Sequence, residues 1–155
     1  MDRVCVTRHV EFEAAHLLQG YDGKCQNLHG HSYALEVTIS CEEQTRKLNN
    51  FNFVMDFKKL DKILNDYVPD HAFITNTSNG IGTADYDIAQ VIDSYNMRIF
   101  KMNNPPSAEN MVKLFAKDIQ NLLNQEFKGL GYIVDKVKLW ETTDSYATWE
   151  RRYVI

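Results

Sequence analysis

Along residues 32–41 apolar and polar positions alternate without a break. Tyr33, Leu35, Val37 and Ile39 fall on one parity, and Ala34, Glu36, Thr38 and Ser40 on the other. Successive side chains of a strand leave opposite faces, so this pattern predicts a strand with one buried face. A first strand is predicted over roughly Arg3 to Glu13, where Val4, Val6, Val10 and Phe12 share a parity that Ala14 and His16 continue. Residues 14–24 read as a loop ending in the turn signal Tyr21-Asp22-Gly23. After strand two, the polar stretch 42–52 leads to a second extended piece, Phe53 to Phe57.

The period then changes. Phe57, Leu60, Ile63, Leu64 and Tyr67 recur at helical spacing behind Asp56, a good N-cap, and Pro69 ends the helix. Residues 75–84 read as a loop, Asp85 to Tyr95 as a helix and Met97 to Met102 as a short strand. Asn103-Asn104-Pro105-Pro106 breaks the chain. Ser107 then caps a long helix with Glu109 in its first turn, stopped by Gly129 and Gly131. Two last strands, about Ile133 to Thr142 and Tyr146 to Tyr153, complete an α+β domain with helices on one face of an antiparallel sheet.

Composition narrows the functional classes. The 155 residues fit one domain, with residues 76–103 as a longer inserted helix/strand segment. A formal net charge of −4 argues against nucleic acid and anionic membranes as partners. No run approaches the length of a membrane span, and the N-terminus lacks the build of a signal peptide. Cysteines at 5, 25 and 41 fit no disulfide framework, so reduced thiols and a cytoplasmic location are expected.

The histidines change the picture. In Cys25-Gln26-Asn27-Leu28-His29-Gly30-His31 two imidazoles share the apolar parity of strand two, with a glycine between them where the backbone must bend or pass close to something. His16 ends the apolar parity of strand one. If the two strands pair antiparallel, three imidazoles meet at one end of one sheet face. Either they are core histidines satisfied by hydrogen bonds, or they bind zinc with a fourth position open for chemistry. Glu141 ends the apolar row Ile133, Val137, Leu139, either as a strand end or as a buried anchor. His9, on the polar parity, is read as exposed and without a role.

Phe12-Glu13-Ala14-Ala15-His16, Cys25-x-x-Leu28-His29-Gly30-His31, Met55-Asp56-Phe57, Asp70-His71, Ser107-Ala108-Glu109-Asn110 and Glu141-Thr142 occur in that order. Together they resemble the 6-pyruvoyl-tetrahydropterin synthase / 6-carboxy-tetrahydropterin synthase family, over about Val4 to Tyr153. The resemblance implies a tunnelling fold (T-fold), with four-stranded antiparallel sheets of several subunits joined edge to edge into a barrel. It also implies a homohexamer, a dimer of trimers, with active sites between subunits.

By the same resemblance His16, His29 and His31 match the zinc ligands, Cys25 the catalytic thiol, and Asp70 with His71 the pair completing the proton-transfer set. Glu141 matches the carboxylate that grips the pterin ring, with Thr142 beside it. Ser107 stands where the family usually has threonine, and Pro69 where leucine commonly precedes Asp-His. The short gap from Cys25 to His29 resembles the queuosine-pathway branch. The implied activity is that of a zinc-dependent lyase, 6-carboxy-5,6,7,8-tetrahydropterin synthase, acting on 7,8-dihydroneopterin triphosphate. Alternatives are the 6-pyruvoyl synthase, which only eliminates triphosphate, and a zinc-stabilised pterin-binding module without turnover.

Overall fold

The computed structural model describes residues 3–153. Strands β1 (Cys5–His16) and β2 (His29–Ser40) pair antiparallel over their whole lengths, from Cys5 opposite Ser40 to His16 opposite His29. Both follow the predicted parity. Val10, Phe12 and Ala14 of β1 and Tyr33, Leu35, Val37 and Ile39 of β2 are buried, and Phe12 stacks on Tyr33 with ring centroids 4.9 Å apart. β1 runs on to His16, through the start of the predicted loop.

β5 (Ile133–Trp140) pairs antiparallel with β2, and β6 (Tyr146–Glu150) with β5. This gives the expected four antiparallel strands in the order β1-β2-β5-β6. Two further strands, β3 (Ala72–Asn76) and β4 (Ile99–Met102), add in parallel beyond β1, so the sheet has six strands in the order β4-β3-β1-β2-β5-β6. β3 escaped the sequence reading because all five of its residues are buried. A strand covered on both faces shows no alternation to read.

Three helices and a short turn fill the connections: α1 (Glu43–Arg46), α2 (Phe57–Tyr67), α3 (Ala84–Ser94) and α4 (Ala108–Glu126). Asp56 caps α2 by accepting from the Lys58 N–H, and Ser107 caps α4 by accepting from the Asn110 N–H. Leu60, Ile63 and Leu64 of α2 and Met111, Phe115 and Ile119 of α4 join the apolar face of the sheet in one core. α3 packs with Leu17 and with Phe73 of β3 in a smaller satellite.

The extended piece expected at 53–57 is not a strand. Asn49 Oδ1 accepts from the N–H groups of Phe51 and Phe53, and its Nδ2 donates to the Phe53 carbonyl. Those bonds fold the start of the segment into a local turn, and its end is taken up by the cap of α2 at Asp56. β5 and β6 also end earlier than expected, at Trp140 and Glu150.

Candidate metal centre and the groups around it

The β1–β2 register builds the centre. His16 closes β1 directly opposite His29, which opens β2, and His31 lies opposite Ala14 on the same face. Gly30 between them suits the close approach of the two strands: a Cβ there would sit 3.1 Å from the Ala14 carbonyl oxygen, tighter than ordinary contact, so the backbone would have to give by a few tenths of an ångström. The three histidines offer ligand nitrogens that all lie within 4.8 Å of one another.

Hydrogen bonds fix the tautomers of two rings. His16 Nδ1 lies 2.7 Å from the Pro106 carbonyl oxygen, and His29 Nδ1 lies 2.7 Å from that of Asn27. A carbonyl only accepts, so each Nδ1 carries the proton and each Nε2 is a bare lone pair when the ring is neutral. Those two Nε2 atoms face each other at 3.1 Å. Two bare lone pairs at that distance repel unless a cation lies between them. Two nitrogens bound tetrahedrally to one zinc at ordinary bond lengths would sit about 3.3 Å apart.

His31 points the same way. Its Nε2 is buried and has no hydrogen-bond partner among the described residues. Such an orphan is costly unless something binds it. Burial is the main cause lowering the His16 imidazole to about 4, with its neighbours His29 and His31 adding to it and the Pro106 carbonyl opposing. Burial likewise lowers His31, against the pull of Glu141. Neutral imidazoles are the form that ligates a metal. The donor set, the orphaned nitrogen and the carbonyl partners behind two rings all fit one divalent ion.

Glu141 lies just past β5, in a turn where its N–H donates to the Ser145 carbonyl. Its Oε1 is 3.7 Å from His16 Nε2 and 3.8 Å from His31 Nε2. Thr142, next in sequence, lines a neighbouring cleft of about 490 Å³ with Ser32, Tyr33 and Trp140. Cys25 sits half-buried in the helical turn Lys24–Gln26, which its carbonyl ties to the Leu18 N–H at 2.9 Å.

Tyr33 was hidden in its apolar row, yet its hydroxyl lies 3.5 Å from both ring nitrogens of His16. Burial raises the phenol far above its ordinary range, and the charges of Glu141 and Cys25 act in the same direction. The available signal was chemical: a buried tyrosine hydroxyl usually finds a polar partner, and two histidines share its parity.

Asp70 and His71 form a pair of their own. Asp70 Oδ1 accepts from the Glu13 N–H at 2.9 Å, and Oδ2 lies 3.0 Å from His71 Nδ1. His71 is exposed and lines a cleft of about 490 Å³ that His31 and Ser32 also border. No hydrogen bond joins Cys25 to Asp70 or His71 among the described residues. The Ser107 hydroxyl is engaged in capping α4. His9 is exposed beside Glu11 and Glu36, on the opposite parity from the cluster. No helix among the described residues is long and apolar enough to cross a membrane.

Comparison with known proteins gives a consistent result. Residues 5–152 match the family described as 6-pyruvoyl tetrahydropterin synthase. The 6-carboxy-5,6,7,8-tetrahydropterin synthase of Haemophilus influenzae is 32% identical over 148 residues, covering 94% of this chain and 97% of that protein. Among solved structures, an uncharacterized protein of Wolinella succinogenes superposes with a TM-score of 0.71 at 19% identity, covering 98% of this chain and 100% of that one. The 6-pyruvoyl tetrahydropterin synthase of Plasmodium falciparum superposes with a TM-score of 0.61 at 16% identity, covering 97% and 99%. At such identities these structures show a shared fold.

Proposed function

The chain belongs to the 6-pyruvoyl tetrahydropterin synthase family, and from that premise we propose that it is a zinc-dependent 6-carboxy-5,6,7,8-tetrahydropterin synthase of the queuosine pathway. The reaction takes 7,8-dihydroneopterin triphosphate and water to 6-carboxytetrahydropterin, acetaldehyde and triphosphate. The observation that carries the reading is the convergence of His16, His29 and His31 on one point, with an unpartnered buried nitrogen among them. The 32% identity to the Haemophilus influenzae enzyme, which extends over 94% of this chain, and the short gap from Cys25 to His29 favour the carboxy product over the pyruvoyl one.

His16, His29 and His31 would hold the zinc. When bound, zinc supplies Lewis-acid polarisation of the substrate's side-chain hydroxyls. Cys25 removes a proton from the side chain, a task that requires the thiolate. His71, with Nδ1–H donated to Asp70, keeps Nε2 free to pass a proton. Glu141 accepts N–H groups from the pterin's amino-pyrimidine edge, a charge-assisted contact suited to a partly buried carboxylate. Thr142 and Ser107 add hydroxyl contacts, Ser107 after release from its cap.

The active particle is proposed to be a homohexamer in the cytoplasm, a dimer of trimers whose sheets close a barrel. Two features support assembly: the sheet ends in open edges at β4 and β6, and no hydrogen bond joins Cys25 to Asp70 or His71 among the described residues. A neighbouring subunit would bring the thiol of one chain to the imidazole of the next.

Product analysis tests the function. Incubated with 7,8-dihydroneopterin triphosphate, the zinc-loaded protein should release one acetaldehyde per pterin converted. A pyruvoyl product without acetaldehyde would assign the 6-pyruvoyl synthase reaction instead, and no conversion at all would leave a binding module.

A further inference from the structure

Arg98 precedes β4, at the end of the segment 76–103 that lengthens the middle of this chain. Its guanidinium reaches back to the turn after α2. Nη1 donates to the Asp70 carbonyl at 2.7 Å, and Nη2 to the Val68 carbonyl at 3.0 Å. Its own carbonyl accepts from the Phe73 N–H at 3.1 Å. Arg98 therefore brackets Asp70 and His71 from both sides.

The bracketed turn needs holding. His71 has φ of 54°, in the left-handed region that an L-residue with a ring side chain seldom occupies. Proline at 69 removes one backbone donor from the turn. β1 supplies the opposite anchor, since the Glu13 carbonyl accepts from the His71 N–H at 2.6 Å while the Glu13 N–H reaches Asp70 Oδ1. Between the anchors Asp70 Oδ2 accepts from His71 Nδ1, leaving Nε2 toward the cleft that Arg98, His31 and His71 line together.

We propose that Arg98 is a positioning residue that holds the Asp70–His71 turn, and with it the tautomer and direction of the His71 ring. A rigid planar fork matches two carbonyls across a proline, whereas a lysine ammonium is a single point charge whose donors are not held in that spacing. The Glu13 N–H is the main group that favours the Asp70 carboxylate, and the guanidinium charge of Arg98 adds a smaller contribution in the same direction. The inserted segment thereby contributes to the site. The functional weight of this inference rests on the reading of His71 as a proton carrier.

Two readouts on the zinc-loaded protein test it. ¹⁵N imidazole NMR should find neutral His71 as the Nδ1–H tautomer in the unaltered chain and a mixture in Arg98→Ala. With 7,8-dihydroneopterin triphosphate, Arg98→Ala should lower kcat by about 100-fold while KM stays within about twofold. Arg98→Lys, keeping the charge but not the planar fork, should recover part of both and serves as the test if Arg98→Ala does not fold. An unaltered His71 tautomer in the variants, or a loss of kcat without a tautomer change, would overturn the proposal. Absence of turnover by the unaltered protein would refute the assigned reaction, while the tautomer comparison would still decide the positioning role.

Discussion

Asp70 and His71 show at a single turn how residue identity becomes geometry. Adjacent side chains usually diverge, so the pair was legible only through resemblance. The left-handed backbone at His71 brings its ring back onto Asp70. The Glu13 N–H, chiefly, then His71 and Arg98, hold the Asp70 carboxyl below the ordinary carboxylate range, with burial opposing. A carboxyl lowered in the folded state stabilises the protein above its unfolded value, about 3.9, and loses that contribution as pH falls through the lower folded value. The stability gap between the unaltered chain and Asp70→Asn should therefore persist at pH 5 and narrow below about pH 4. Urea midpoints across this range check it; a gap constant down to pH 2 would contradict the assignment. The three histidines were legible for a simpler reason, because parity alone puts them on one face. Tyr33 was not, since a tyrosine in an apolar row looks like core until its hydroxyl's neighbours are known.

Elements were readable where one face is wet. β1, β2, α2 and α4 announce themselves by period and cap, whereas β3, covered on both sides, does not. The loop after β3 is ordered by a buried residue at the start of α3. Asp85 is fully buried, and its Oδ2 accepts from Thr75 Oγ1, the Asn76 N–H and Asn79 Nδ2. This acceptor links the end of β3 to the first turn of α3, and nothing in the sequence period marks it. Asp85→Ala leaves the Asn76 N–H unpaired and should destabilise the chain by about 3 kcal/mol in denaturant unfolding. A loss below about 1 kcal/mol would show that the loop is held by other contacts.

At the scale of the molecule, one register decides the rest. The antiparallel β1–β2 ladder brings His16, His29 and His31 together, places Gly30 under the Ala14 carbonyl, and turns Glu141 toward the cluster from the far side of β2. The α+β class and the four antiparallel strands were legible from alternation. The six-strand total was not: a short strand was expected near β4, but β3, just ahead of the inserted segment, is buried throughout and shows no alternation, so the parallel pair had no partner to be read from. The claim on which the functional account turns is that these imidazoles share one zinc with a position left for substrate. X-ray absorption at the zinc edge of the purified, zinc-loaded protein tests it most directly. The account predicts three imidazole nitrogens at about 2.0 Å, completed by oxygen. A sulfur neighbour at about 2.3 Å, or fewer than three imidazoles, would contradict it.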